Sequence, residues 1–291
     1  MIVRVLGSAA GGGVPQWNCG CANCERAREG RAPVRTQSSI AISGDGKNRA
    51  LVNASVDLGR QLAQTPATWP SALRENPFEA ILLTDANVDH VAGLGELRQD
   101  PQPMLIVSSA VTKRLLEDER FCKRLQRPGH QWLDRIDGLI AGGLAVEMID
   151  VPGLLPGYAG RAASASAVAA YIIHEPASGL QATIAPVFLG IDERLLDAVT
   201  RSDLALLDGT FYSNDELHAF GSKAKNAGGL GHAPVGGPNG TLQHIAGLEN
   251  CRVFVHINNT NPMLDRSSHA HDAVVAAGCV IAFDGWEYNN G

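Results

Sequence analysis

The chain has no apolar run of the roughly 18 residues that a membrane-spanning helix needs, so no such span is expected along its 291 residues. It has no basic excess. Lys and Arg number 24 against 30 Asp and Glu, a net charge of −6, which argues against nucleic acid as a partner. No secretory leader is expected: the start, MIVRVLGSAAGGGVPQW, holds a single apolar stretch of four or five residues, suited to a first strand. A cytoplasmic location is the expectation. No Lys-Ser/Thr follows Gly11-Gly12-Gly13 and no Gly-x-Gly-x-x-Gly opens a helix, so a phosphate cradle is not expected there. Repeats, low-complexity tracts and linkers are absent. Charged residues are too few (19%) for a disordered chain, and hydrophobic ones (45%) suffice for a sizeable core. Residues 1–291 are therefore expected to form one domain.

What is present is an alternation of short β-branched runs with helical patterns. Ile2–Leu6, Ser38–Ser43, Ala50–Ala54, Ala80–Leu83 and Met104–Val107 read as strands of a first half. Leu144–Val151, Ala167–His174, Gln181–Ala185, Leu204–Leu207, Cys251–Ile257 and Cys279–Phe283 read as strands of a second. Helices are expected over Ser109–Glu119, Asp192–Arg201 and Ser268–Ala277. This is an α/β (α+β) content, with sheets packed together and helices outside. The Gly/Ala/Ser-rich stretch Gly153–Ser166 reads as a mobile loop at the rim of a site. Trp17, Trp69, Trp132 and Trp286 read as core or rim packing residues.

The informative segment is Ile81–Leu94, where a buried strand stops and metal-capable side chains follow at once. Sites in open α/β sheets sit beyond the carboxyl ends of strands. Asp89 and His90 could both reach one ion from a tight turn there. Taken alone, the pair is as readily a helix cap and a first-turn histidine. The arrangement recurs, however: Asp208 ends one strand, His256 ends another, and His232 lies in the loop Gly228–Pro234. Imidazole plus carboxylate suits zinc, iron or manganese, and two histidines with one carboxylate and open positions is the set of non-haem Fe(II) oxygenases.

A strand followed by His-x-His-x-Asp-His and Gly-Leu is the pattern of the metallo-β-lactamase superfamily. The segment resembles it, with Asp85 and Asn87 where the first two histidines would stand. The same departure, together with Gly231-His232-Ala233-Pro234 and His256-Ile257-Asn258-Asn259-Thr260-Asn261-Pro262, resembles the B proteins of pyrroloquinoline quinone biosynthesis. Gly7–Gly13, Pro15–Cys19, Asp208–Phe211 and Asp284-Gly285 extend that resemblance over essentially the whole chain. It implies a metallo-β-lactamase αββα sandwich of two mixed sheets. It implies Asp89, His90, Asp208 and His256 as metal ligands, with His232 as acid/base and Asp85 and Asn87 as supporting or substrate contacts. The two-metal centre loses its first site, because Asn87 is a weak donor and Asp85 cannot replace two imidazoles. The implied activity is an iron(II)- and O2-dependent hydroxylation of the tyrosine ring of a cross-linked Glu–Tyr precursor. A single-zinc hydrolase and a soluble carrier of the quinone or its precursor are the competing readings.

Of six cysteines, Cys19, Cys21 and Cys24 cluster, while Cys122, Cys251 and Cys279 are scattered, the last two in strand-like runs as small buried apolar residues. Three thiols within six residues in a reducing compartment suit a structural zinc. That zinc would pin a loop at about 15–30, with His269, His271 or Asn259 as the fourth ligand. For partners the expectations are a small-molecule substrate, with a homodimer as the one assembly in view.

Overall fold

The computed structural model describes residues 1–100, 102–117, 131–136, 138–221 and 225–290; Cys122, His130 and the end of the helix expected over Ser109–Glu119 lie outside them. The first sheet is built from β1 (Ile2–Gly7), β2 (Ser39–Ser43), β3 (Arg49–Val52), β4 (Phe78–Leu82), β5 (Leu105–Val107) and β6 (Gln131–Leu133). The second holds β7 (Leu139–Ile140), β8 (Leu144–Val151), β9 (Val168–Glu175), β10 (Leu180–Ala185), β11 (Leu204–Asp208), β12 (Cys251–Val255) and β13 (Cys279–Ile281). β14 (Glu287–Asn289) returns to the first sheet beside β1. The orders are β14-β1-β2-β3-β4-β5-β6 and β13-β12-β11-β10-β9-β8-β7. In each sheet one side is antiparallel; the other, β3 to β6 or β10 to β13, is parallel.

The period of two in the strands explains the layering. Val3 and Val5, Ile40 and Ile42, Ala80 and Leu82 face the gap between the sheets, where they meet Tyr171, Ile184, Leu206 and Val253. The intervening residues Leu6, Ala41 and Ile81 face outward, under Leu58, Leu94 and Leu116. On the far side Phe254 and Leu207 pack beneath Leu195 and Val199 of the helix Glu193–Arg201 and Val274 of the helix His269–Ala276. The result is helices, sheet, sheet, helices: the αββα sandwich expected. Tyr171 sews the layers together, its wholly buried hydroxyl lying 2.8 Å from the carbonyl of Leu83 and 3.0 Å from that of Val107.

Several boundaries differ from expectation. β12 stops at Val255 because His256 turns into the left-handed region (φ 55°), and Ile257 bonds instead to Ser8. The helix Ala22–Arg28, inside what read as a loop, has no apolar stripe to announce it. β14 was not expected either, since it is a short polar edge. Trp17 is 87% exposed and Trp69 also stands clear of the core, whereas Trp132 packs beneath the first sheet. Cys279 is buried as expected; Cys251 is half-buried.

The carboxyl ends of β1, β4, β11 and β12 emerge on one side and carry Ser8–Gly13, Thr84–His90, Asp208–Thr210 and His256. Asp284 fixes the first of these loops: one oxygen accepts from the Ser8 amide and hydroxyl (2.9 and 2.8 Å), the other from the Thr36 amide and hydroxyl (2.6 and 2.7 Å). Gly93 fixes the second. Its amide donates to Ala54 at 2.9 Å, and a Cβ there would lie 2.0 Å from the Ser55 carbonyl oxygen. Because the obstacle is backbone, Gly93→Ala is expected to destabilise the fold by about 3 kcal/mol or more, read as a lowered urea midpoint with an unchanged slope.

Candidate metal centre

The loop after β4 is organised around Asp85, which is fully buried. One carboxylate oxygen accepts from the Asn87 amide and side chain, both at 2.8 Å. The other accepts from the Thr84 hydroxyl at 2.9 Å and faces Nδ1 of His90 at 2.7 Å. Burial opposes ionisation of Asp85, but the charge and hydrogen bond of His90 outweigh it and hold the carboxyl below its ordinary range. His90 is thereby oriented with Nδ1 toward Asp85 and Nε2 toward Asp89, 3.9 Å away. Asn87, half-buried, has its side chain committed to Asp85.

The second half repeats this pattern with different elements. Asp208, also fully buried, accepts from the Thr210 amide and hydroxyl with one oxygen (2.9 and 2.6 Å). The other lies 3.2 Å from the Phe188 amide and 2.8 Å from Nδ1 of His232. The Thr210 hydroxyl lies 2.8 Å from Nδ1 of His256, so that ring turns Nε2 toward Asp89, at 3.2 Å. His232 stacks on His256 with ring centroids 5.4 Å apart. Burial lowers the pKa of His256 and dominates its partners, keeping the ring neutral.

Two donor groups result, Asp89–His90–His256 and Asp208–His232–His256, each with its ligand atoms within 4.8 Å of one another and with His256 in common. All four residues expected to bind metal lie within these groups, and His232 lies there with them. The donor set fits a metal on an observation independent of spacing: Nε2 of His90 is buried and has no hydrogen-bond partner. Donors each about 2.1 Å from one ion would stand about 3 to 3.5 Å apart, close to the separations around Asp89. Nδ1 of His90 on a carboxylate and Nδ1 of His256 on a hydroxyl are the outer partners that hold ligating imidazoles in register. Asp85 has both oxygens engaged and belongs to neither donor group among the described residues.

The cysteines form a third group. Cys24 lies on the buried face of the helix Ala22–Arg28, and Asn259 sits on the sulfurs, its amide nitrogen 3.5 Å from Cys21 and 3.3 Å from Cys24. His271 lies elsewhere, with Nδ1 2.9 Å from the Met263 carbonyl, and neither it nor His269 joins the cysteine group among the described residues. Burial pushes the Cys24 thiol up to about 11. Burial also opposes the Cys21 thiolate, but hydrogen bonds from Cys24, Cys19 and Asn259 outweigh it and draw that thiol down.

With this geometry in hand, comparison with known proteins is decisive. Residues 48–257 match the Beta-lactamase superfamily domain. Coenzyme PQQ synthesis protein B of Cupriavidus taiwanensis is 38% identical over 98% of both chains. The chain belongs to the coenzyme PQQ synthesis protein B family. The crystal structure of Zn(2+)-bound PqqB from Methylobacterium extorquens superposes with a TM-score of 0.92 at 34% identity over 100% of both chains. A diphosphatase of the PhnP family shares the fold, with a TM-score of 0.67 at 19% identity, covering 100% of this chain and 98% of its own.

Within this member of the coenzyme PQQ synthesis protein B family, Thr84, Thr210 and Arg161 were not singled out from sequence. The two threonines tie their neighbouring aspartates and histidines into single hydrogen-bonded units. Arg161 lines the cleft of about 180 Å³ that also holds Asn87, Asp89, His232 and His256. A threonine one or two residues from an aspartate carries no mark of its own, and Arg161 lies in a stretch read only for its small residues.

Two outcomes follow for metal binding. Asp85→Asn removes the charge behind His90 and is expected to weaken the metal about 10- to 100-fold, measured by competition with a chromophoric chelator. In the metal-free protein burial disfavours the His90 imidazolium, but Asp85 and Asp89 outweigh it and hold the pKa up to about 9. Below that pH a metal must displace the proton. Affinity should therefore rise roughly tenfold per pH unit up to about pH 9 and level off above it; a flat profile from pH 6 to 9 would contradict the His90 assignment.

Proposed function

We propose that this chain is a single-iron, O2-dependent hydroxylase of pyrroloquinoline quinone biosynthesis, acting on the tyrosine-derived ring of a cross-linked Glu–Tyr precursor. One observation carries the reading. The buried, unpartnered Nε2 of His90 faces Asp89 and His256, while Asp85, at a first-metal position, has one oxygen on Asn87 and the other on Thr84 and His90. That supports a single ion with two imidazoles and a carboxylate, the set that serves non-haem iron oxygenases. It counts against the bridged two-metal arrangement of hydrolases.

Asp89, His90 and His256 would hold the ion, with Asp208 as the neighbouring carboxylate. Bound iron(II) would supply the redox chemistry by which O2 oxidises an aromatic ring. In that net reaction a ring C–H becomes C–OH. The second oxygen atom leaves as water, on two electrons and two protons from a supplied reductant such as ascorbate. His232 has Nδ1 committed to Asp208, which leaves Nε2 to take the proton of the ring hydroxyl, with Asp208 stabilising the imidazolium. Asn87 and Asn258 line the same cleft and offer hydrogen bonds to a polar substrate.

The zinc of the Methylobacterium extorquens relative favours the competing reading of a single-zinc hydrolase. Anaerobic loading with iron(II) or with zinc, followed by the cross-linked Glu–Tyr compound, ascorbate and O2, separates the two. Oxygen uptake with a product heavier by oxygen is expected of the iron form alone; equal turnover of the zinc form without O2 would establish hydrolysis instead. Asp89→Ala and His256→Ala are expected to abolish product, and His232→Gln to lower kcat about 100-fold with metal content retained. Undiminished product from His256→Ala would refute the site.

A further inference from the structure

We propose that Arg161 is the anion-recognition residue of the cleft, its guanidinium receiving a carboxylate of the substrate at the mouth. The proposal rests on the reading of the cleft as a substrate-transforming metal site, and deepens it by naming the chemistry the substrate must present.

Arg161 belongs to a strap between β8 and β9. The strap folds back on itself through the Leu155 amide and the Ala162 carbonyl (2.9 Å) and through the pairing of Leu154 with Ala163. At one end the Tyr158 hydroxyl donates to the Ala86 carbonyl at 2.8 Å, on the turn between Asp85 and Asn87. At the other, Nη1 of Arg161 donates to the Leu230 carbonyl at 3.2 Å, two residues before His232. The strap therefore joins the loops that carry the two halves of the centre.

Three features point the guanidinium at a ligand. Among the described residues lining the cleft, Arg161 is the only lysine or arginine. Among the described residues it reaches one acceptor, Leu230, and forms no ion pair, although three aspartates stand in and around the centre. The rest of its donor fork is thus left for an outside partner, and that fork matches a carboxylate in two parallel bonds. Finally, the residue is held in the left-handed region (φ 48°), a conformation unfavourable for a side chain with a Cβ and retained mostly where function requires it. Gly157 accommodates the group: a Cβ there would lie 3.2 Å from Nη2 and 3.3 Å from Nε.

The test uses zinc-loaded protein, which binds without oxidising, and two probes: the cross-linked Glu–Tyr compound and the same compound with its carboxylates converted to carboxamides. Calorimetric titration is expected to show Arg161→Gln weakening the acid about 10- to 100-fold while the amide binds as to wild type. Arg161→Lys should recover part of the loss, and the salt dependence of acid binding should flatten in Arg161→Gln. Equal losses for both probes, or none for the acid, would overturn the proposal and leave Arg161 as a clasp for the His232 loop. If the glutamine variant does not fold, the lysine variant decides alone: an acid-selective loss upholds the proposal and an unselective one overturns it. Acid binding that depends on Arg161, with no oxidation after iron loading, would sink the hydroxylase reading and leave this one standing. Failure of the acid to bind wild type would overturn both.

Discussion

Everything at the centre depends on gathering three carboxylates, two of them fully buried, without leaving any of them alone. A buried, unpaired carboxylate is prohibitively costly, and here each of Asp85, Asp89 and Asp208 faces an imidazole nitrogen at 2.7 to 3.2 Å. Carboxylates and imidazoles alternate from Asp85 through His90 and Asp89 to His256, and the Thr210 hydroxyl links that run to Asp208 and His232. In that chain Nε2 of His90 is the one buried nitrogen left over. A cation against it would turn a hydrogen-bonded network of carboxylates and imidazoles into a coordination sphere.

The two sheets reach this arrangement by the same device used twice. A strand ends, an aspartate is buried at or just past its last residue, and a threonine hydroxyl and a histidine Nδ1 close on it: Thr84, Asp85 and His90 in one half, Thr210, Asp208 and His232 in the other. His256 is the link between them, bonded to the second unit through Thr210 and to the first through Asp89. Its left-handed backbone fits this position, because an extended strand would have carried the next side chain past the cleft.

Much of this was legible beforehand, and the reasons differ by feature. Strands buried on both faces, such as β9 and β11, read as continuous apolar runs, and β8 reads by its alternation, so β8, β9, β10 and β11 lie within a residue or two of their expected bounds. The donors were legible because polar side chains directly after such runs are conspicuous. What was illegible depended on the third dimension. No pattern along the chain says that Asp85 turns to His90 rather than to a metal, that Thr210 bridges Asp208 and His256, or that the strap after β8 crosses from one half to the other. The helix Ala22–Arg28 was hidden for a related reason: its register is set by Cys24, Asn23 and Ala27 packing onto the turn after His256, not by an amphipathic stripe.

The clamp between Ser8 and Asp284 joins positions 276 apart, and the hydrogen bond between Asp89 and His256 joins positions 167 apart. At a synthesis rate of about 5 to 20 residues per second, Ser8 waits roughly 14 to 55 s on the ribosome for its partner. Through most of that interval the Asp85–His90 loop exists without His256, and the glycine-rich loop beside Asp89 is held by residues 35–37 but not yet by Asp284. Until His256 is made, the Asp85–His90 loop offers an ion one imidazole, His90, and the carboxylate of Asp89. The Asp89–His90–His256 donor group is thus complete only once residue 256 has been made and β12 has paired beside β11.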